Sequence, residues 1–191
     1  MRITGGRLRN RNLQVPHGLA VRPSSGRLRE SLFNICQHRI EGEHVLDLFA
    51  GSGAVGIEAL SRGAASCTFV EMDKQSLKAL QHNLTSLDLL KESAVVPHDV
   101  LKGLDLLQRQ EKRFDIIFLD PPYHSDGKVE NSWSWKVLMQ LDCGRLLSEE
   151  GWIFVEDSAE ASVAEPPLEH LKAWRSRRMG RSHLRHYAMY E

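Results

Sequence analysis

The sequence is poor in the features that would declare its chemistry outright. Its three cysteines, Cys36, Cys67 and Cys143, are odd in number and far apart. No C-x-x-C pair occurs, which argues against a zinc ribbon and against a disulfide framework. A reduced, cytoplasmic setting is the expectation. No His/Cys/Asp/Glu cluster suggests a metal site. No apolar run approaches the ~20 residues needed to cross a bilayer. The basic opening MRITGGRLRNRNLQVP lacks the apolar core of a secretory signal. Neither an internal repeat nor a low-complexity linker is present. A length of 191 residues fits one domain with room for a sizeable core.

Acid is also scarce, but only at the ends. Lysine plus arginine equals aspartate plus glutamate at 25 each, so the formal net charge is zero. Residues 1–40 nevertheless carry Arg2, Arg7, Arg9, Arg11, Arg22, Arg27, Arg29 and Arg39 against the single acid Glu30. Near the C-terminus Lys172, Arg175, Arg177, Arg178, Arg181 and Arg185 stand with no acid between them. Basic ends around an acidic middle suit a polyanion, because phosphate contacts supply most sequence-independent affinity. The arginine-rich bias favours nucleic acid over a merely solvated surface.

Residues 1–20 read as a basic arm. Ile3, Leu8, Leu13 and Val15 alternate with arginines around Gly5-Gly6, which predicts a small β-hairpin. Pro16, Gly18 and Pro23 punctuate the connection from this arm to the first helix. The stretch SSGRLRESLFNICQHRI reads as that helix, capped by Ser24 or Ser25, with Leu28, Leu32, Ile35 and Cys36 on one face. From residue 44 strands and helices alternate: strands at 44–50, 66–71, 114–120 and 151–157, a weaker one in AVVPHD, and helices between them. Leu77, Leu80, Leu84 and Leu87 share one helical face. SHLRHYAMYE reads as a closing strand paired near 172–178. The pattern predicts an α/β domain over 21–191, a mostly parallel sheet with helices on both faces. Ligands of such sheets bind beyond the strand C-termini, which directs attention to the loops at 49–55, 71–73, 98–100 and 120–124.

The first of these loops holds Gly51-Ser52-Gly53-Ala54-Val55-Gly56, a literal G-x-G-x-x-G between a strand and a helix. Phe49, Ala50, Gly51 and Gly53 then border a ligand approached by free backbone N–H groups. Glu71 ends the next strand and suits both hydroxyls of a ribose, with Met72 beside it. So far a nicotinamide dinucleotide fits equally well. Asp47 points elsewhere: a carboxylate beside a pyrophosphate is repelled, whereas the ammonium and sulfonium of S-adenosylmethionine welcome it. A loop cap is the plainer role for Asp47. Asp99, with Val100 after the third strand, is placed to accept from an adenine amine, or simply to cap the next helix.

The stretch Asp120-Pro121-Pro122-Tyr123 separates the two cofactors. Two prolines fix an extended turn and remove two backbone donors, leaving the Asp120 carboxylate and backbone carbonyls as acceptors. An amine held through its hydrogens there turns its lone pair toward the cofactor methyl. Tyr123 offers a face for a flipped base. Trp133 and Trp135 suit a lid or base contact, or plain helix packing.

Together these motifs resemble class I S-adenosylmethionine-dependent methyltransferases of the amino-methylating [DNS]PP[YF] type. The ordered set RITGGRLRNRNLQVP, RPSSGRLRESLFNI, LDLFAGSGAVGIEALSRGA, FVEMD, FLDPPY and GRSHLRHY is similar to the RsmD family, which methylates guanine N2 in 16S ribosomal RNA. The resemblance implies a Rossmann-like fold with a seven-stranded sheet and a small N-terminal hairpin arm. It implies catalysis by Asp120, Pro121, Pro122 and Tyr123, and RNA contacts by Arg7, Arg9, Arg11, Arg22, Arg27 and Arg181. A 30S-like particle as substrate and a monomeric enzyme are further implications, while direct methyl transfer from sulfonium to amine requires no metal. One departure stands out: the family usually reads RPTxDR where this chain has Arg22-Pro23-Ser24-Ser25-Gly26-Arg27, so an acid is missing at Gly26. Other amine acceptors (adenine N6, cytosine N4, glutamine N5), an NAD oxidoreductase and a non-catalytic RNA-binding assembly factor are the alternatives.

Overall fold

A computed structural model describes residues 1–16, 26–122, 132–158, 167–180 and 182–189, the side chain of Arg27 excepted. Arg22, Tyr123, His124, Arg181 and the two candidate cap serines, Ser24 and Ser25, lie outside the described residues.

Seven strands form one sheet: β1 (His44–Leu48), β2 (Ser66–Val70), β3 (Ser93–Val96), β4 (Phe114–Leu119), β5 (Leu147–Ser158), β6 (Leu171–Met179) and β7 (Ser182–Met189), in the order β3-β2-β1-β4-β5-β7-β6. The first five are parallel, while β7 runs antiparallel to both β5 and β6. The chain reverses direction in sheet order at β1, where the connections lead outward to β2 on one side and to β4 on the other. That is the crevice in which open α/β sheets bind ligands.

Helices α1 (Gly26–Ile35), α2 (Ala54–Ser61) and α3 (Lys74–Ser86) cover one face, and α4 (Val100–Arg109) and α5 (Trp133–Cys143) the other. Alternation along the central strands sorts side chains between the two cores. Val45 and Phe69 pack with Leu32, Phe33, Ile57, Leu80 and Leu84. Leu46, Leu48, Ile117 and Val155 pack with Leu104, Leu107, Val137 and Leu141. Strands buried on both faces read as near-continuous apolar runs, which is why HVLDLFA and FDIIFLD signal strands.

All eight residues of α2 are buried, a consequence of the N-terminal segment lying over its outer side. That segment makes one antiparallel bridge, Arg2 to Asn12, and its Ile3 and Leu13 enter the core. Gly6, at φ +77°, passes so close to Ser61 that a Cβ would collide with its carbonyl. The Arg7 N–H donates to that carbonyl at 2.7 Å, and the Ser61 hydroxyl donates to the Gly5 carbonyl at 2.7 Å. Beneath them Glu58, fully buried, accepts from Thr4, Arg29 and Arg62.

Two arginines of the basic ends lie in the interior. Arg29 is 1% exposed and belongs to the interior ion cluster. Arg185 is also buried, its guanidinium 3.2 Å from Asp157. Gly26 opens α1 with nothing near the position of a Cβ, so the site of the missing family acid is open space.

Candidate active site

Register brings the loops of the crevice to one level. Leu48 pairs with Val70 on one side and with Leu119 on the other, so Phe49, Glu71 and Asp120 each come directly after the last paired residue of adjacent strands. Phe49 leaves the sheet at φ +60°, a left-handed conformation uncommon for a residue with a side chain. Its ring meets Trp133 edge-on at 5.9 Å, which links the glycine turn to the start of α5. Trp133 therefore packs as part of that helix, against a residue of the predicted site.

The three glycines of the motif serve different needs. Gly51 has φ +57° and faces open space, where a ligand can approach its backbone. Gly53, at φ +81°, would drive a Cβ into Leu80. Gly56 lies in α2, where a Cβ would meet Phe69 at 2.4 Å and the Cys67 sulfur at 2.5 Å. Gly56 thus allows helix α2 to sit close to strand β2, and Gly53 allows the turn to pass close to α3.

Glu71 accepts from three backbone N–H groups: Gly51 at 2.7 Å, and Met72 and Asp73 at 2.8 Å each. The carboxylate is held at the mouth of the glycine turn with its orientation set. Met72 beside it is 65% exposed, an unburied apolar side chain at the rim. Asp99 caps α4 by accepting from Leu101 N–H at 3.1 Å. Its helix-cap role is in the geometry, at the loop end where the adenine contact was expected.

Asp47 lies beneath the turn, 2% exposed, and accepts from Gly56 N–H at 2.8 Å. Burial pushes its carboxyl up to about 7, and the Asp120 and Glu71 carboxylates push in the same direction, against the Gly56 hydrogen bond. Three acids from the ends of β1, β2 and β4 therefore share one field. Such a cradle opposes a pyrophosphate and suits a cation.

Asp120 is half-buried, Pro121 buried and Pro122 exposed. Asp120 and Glu156 both line a recess walled by Leu28, Leu32, Val55, Phe154 and Leu184. Since Leu119 pairs with Val155, these carboxylates are lateral neighbours across β4 and β5. The Ser182 hydroxyl donates to Glu156 at 2.8 Å. Sequence reasoning missed Glu156, although VED ends its strand as LDPP ends β4. It also missed Asn83, 1% exposed, whose amide donates to the Gln14 and Ser52 carbonyls and ties the N-terminal segment to the glycine turn.

Of the expected RNA contacts, Arg7, Arg9 and Arg11 are exposed on the N-terminal segment, with Arg7 3.0 Å from Glu92. Among the described residues no group of three or more His, Cys, Asp and Glu could hold a metal ion.

Residues 1–188 match the family described as Conserved hypothetical protein 95. The chain is 34% identical over 177 residues to Ribosomal RNA small subunit methyltransferase D of Haemophilus influenzae, covering 86% of this chain and 91% of that one. It is 35% identical over 167 residues to the protein of the same name from Escherichia coli K12, covering 87% and 79%. The solved structure of yhhF from Escherichia coli superposes with a TM-score of 0.81 at 35% identity, over 99% of this chain and 97% of that one.

Proposed function

The chain belongs to the RsmD family, that of ribosomal RNA small subunit methyltransferase D, and from this premise we propose that it methylates the exocyclic N2 amine of a guanine in 16S ribosomal RNA, using S-adenosylmethionine. The observation that carries the reading is Asp120-Pro121-Pro122 at the end of β4, beside a glycine turn with Glu71 at its mouth and Asp47 buried beneath it. The substrate is a small-subunit particle, and the enzyme acts as a cytoplasmic monomer.

The residues present fit the cofactor. Gly51 leaves open space over the turn, Glu71 stands where a ribose diol would lie, exposed Met72 flanks it, and the acid cradle suits a cationic head. S-adenosylmethionine supplies an electrophilic methyl group whose carbon–sulfur bond breaks with the electron pair retained by sulfur. The protein's part is to bind and orient. The Asp120 carboxylate and the Pro121 carbonyl accept the amine hydrogens and fix the direction of the nitrogen lone pair. As the nitrogen gains positive charge, Asp120 stabilises it, and the proton then leaves to solvent. Tyr123 would hold the base by stacking, and Arg7, Arg9, Arg11, Arg22, Arg27 and Arg181 would contact phosphates.

The test is incubation of the protein with methyl-labelled S-adenosylmethionine and small subunits from cells lacking this activity, with the nucleosides then identified by mass spectrometry. Labelled N2-methylguanosine is expected. Cofactor binding without label on any guanine would reject the substrate, and no cofactor binding would reject the class.

Two further outcomes bear on the cofactor. Glu71→Gln is expected to raise the cofactor Kd roughly tenfold or more, since a charged hydrogen bond of about 1.5–3 kcal/mol is lost. Calorimetry showing unchanged affinity would place the ribose elsewhere. Asp47 should make the same affinity pH-dependent. A bound cation favours the ionised carboxylate, so binding expels a proton and the Kd should fall as pH rises through about 7. Asp47→Asn should flatten that profile; a flat wild-type profile would separate Asp47 from the cationic head.

A further inference from the structure

The outer edge of the sheet carries an aromatic and cationic surface that the crevice does not use. Strand β6 is the edge strand, and its residues from Trp174 to Arg178 are all exposed. Trp174 is 59% exposed. A register irregularity between Ala173 and Arg175 places the tryptophan where the ladder is broken, over the sheet face that holds His186 and Trp152. Its ring is braced from behind. His186 lies 5.4 Å away with its ring tilted by 30°, and Trp152 meets it edge-on at 6.2 Å. Arg175 lies 5.6 Å over Trp174, and Arg39 lies 4.8 Å over Trp152.

We propose that this edge is a second RNA-contact surface, on which an unpaired base stacks on Trp174 while flanking phosphates run along Lys172, Arg175 and Arg177. The inference rests on RNA being the substrate and names a surface of this chain that meets it.

Cations alone would not carry the argument, because charged side chains are a common way to keep a sheet edge from pairing. An exposed tryptophan has the opposite effect on an edge, so protection against association does not account for it. Charge then decides the partner. From Leu171 to Met189 the chain holds no acid, and β6 places Lys172, Arg175 and Arg177 on the sheet face that carries Trp174. Sequence-tolerant binding of single strands combines the same elements, a basic track and a ring on which bases stack. The supporting histidine adds no competing charge: both its ring nitrogens are buried without a hydrogen-bond partner, and burial, with Arg175 and Arg39 nearby, pushes it down to about 4. It acts as a flat neutral backing for the tryptophan throughout the neutral range.

The experiment measures binding of the full chain to a fluorescent single-stranded RNA, and to small subunits lacking the methyl mark, across a salt series. Trp174→Ala is expected to weaken single-strand binding about tenfold while leaving the salt slope unchanged, since stacking releases no counterions. Trp174→Phe should recover most of the loss, which a folding defect would not allow. Arg175→Gln combined with Arg177→Gln should lower the slope by about 0.7 per phosphate contact removed. Cofactor affinity should stay at the wild-type value in all three. Wild-type RNA affinity in Trp174→Ala overturns the proposal. So does a loss seen on subunits but not on naked RNA, which would make the partner a protein. If the wild type binds RNA in this way but never methylates it, the methyltransferase reading fails while the surface stands.

Discussion

Replacing Asp120 with alanine is expected to lower turnover about a hundred- to a thousandfold, the range found when one group stabilising transition-state charge is removed. Cofactor affinity should change little, because the proposed cofactor contacts are made by Glu71 and the glycine turn. The two effects separate because Asp120 lies at the end of β4, while Gly51 and Glu71 meet across the ends of β1 and β2. Asp120→Asn should fall between wild type and alanine, because an amide keeps an acceptor oxygen but loses the charge. Single-turnover methylation with calorimetry of the cofactor resolves the two terms. Equal losses in both would move Asp120 out of the amine site and into the cofactor site.

Replacing Glu58 with alanine is expected to produce the largest loss of stability, about 3–5 kcal/mol, because it leaves a buried guanidinium without its counter-charge. Glu58 and Arg29 are both almost fully buried, 3.2 Å apart. Arg62 approaches the other carboxylate oxygen at 2.8 Å, and Thr4 bonds to the same group. Arg29 also donates to the Arg2 carbonyl at 2.8 Å. One substitution therefore loosens α1, α2 and the N-terminal segment together. Urea unfolding should show a lower midpoint with little change in slope. The double variant Glu58→Leu with Arg29→Met should regain much of the loss, since apolar replacement of a whole buried pair costs far less than breaking it. A loss below about 1 kcal/mol in the single variant would mean that water reaches the cluster.

The order of elements was legible because the central strands are buried on both faces and the helices carry one-sided leucine patterns. Strand ends and the glycine turn came from local chemistry, as did the position of Asp120. What escaped the sequence depends on pairs distant along the chain. Arg29 and Arg185 look like their neighbours in a basic run, yet acids 29 and 28 positions away draw them inside. Glu156 gains its place beside Asp120 only when β5 aligns with β4. Phe49 and Trp133 meet because α5 begins over the turn. Asp47 and Asp99 each offered two roles from sequence, and in both the backbone bond is visible in the fold.

The N-terminal segment that roofs α2 also has a history during synthesis. Its anchors reach far ahead in the chain: Thr4 to Glu58 spans 54 positions, Gln14 to Asn83 spans 69, and Arg7 to Glu92 spans 85. This segment must wait for residues as far on as 92 before all its anchors can form. Contacts of such separation close slowly, because loop entropy is lost before any bond is gained. Until then α2 stands uncovered. Residues 1–16, made before their anchors, are therefore among the last to be fixed, and nascent chains halted before residue 92 should be open to proteolysis in this segment.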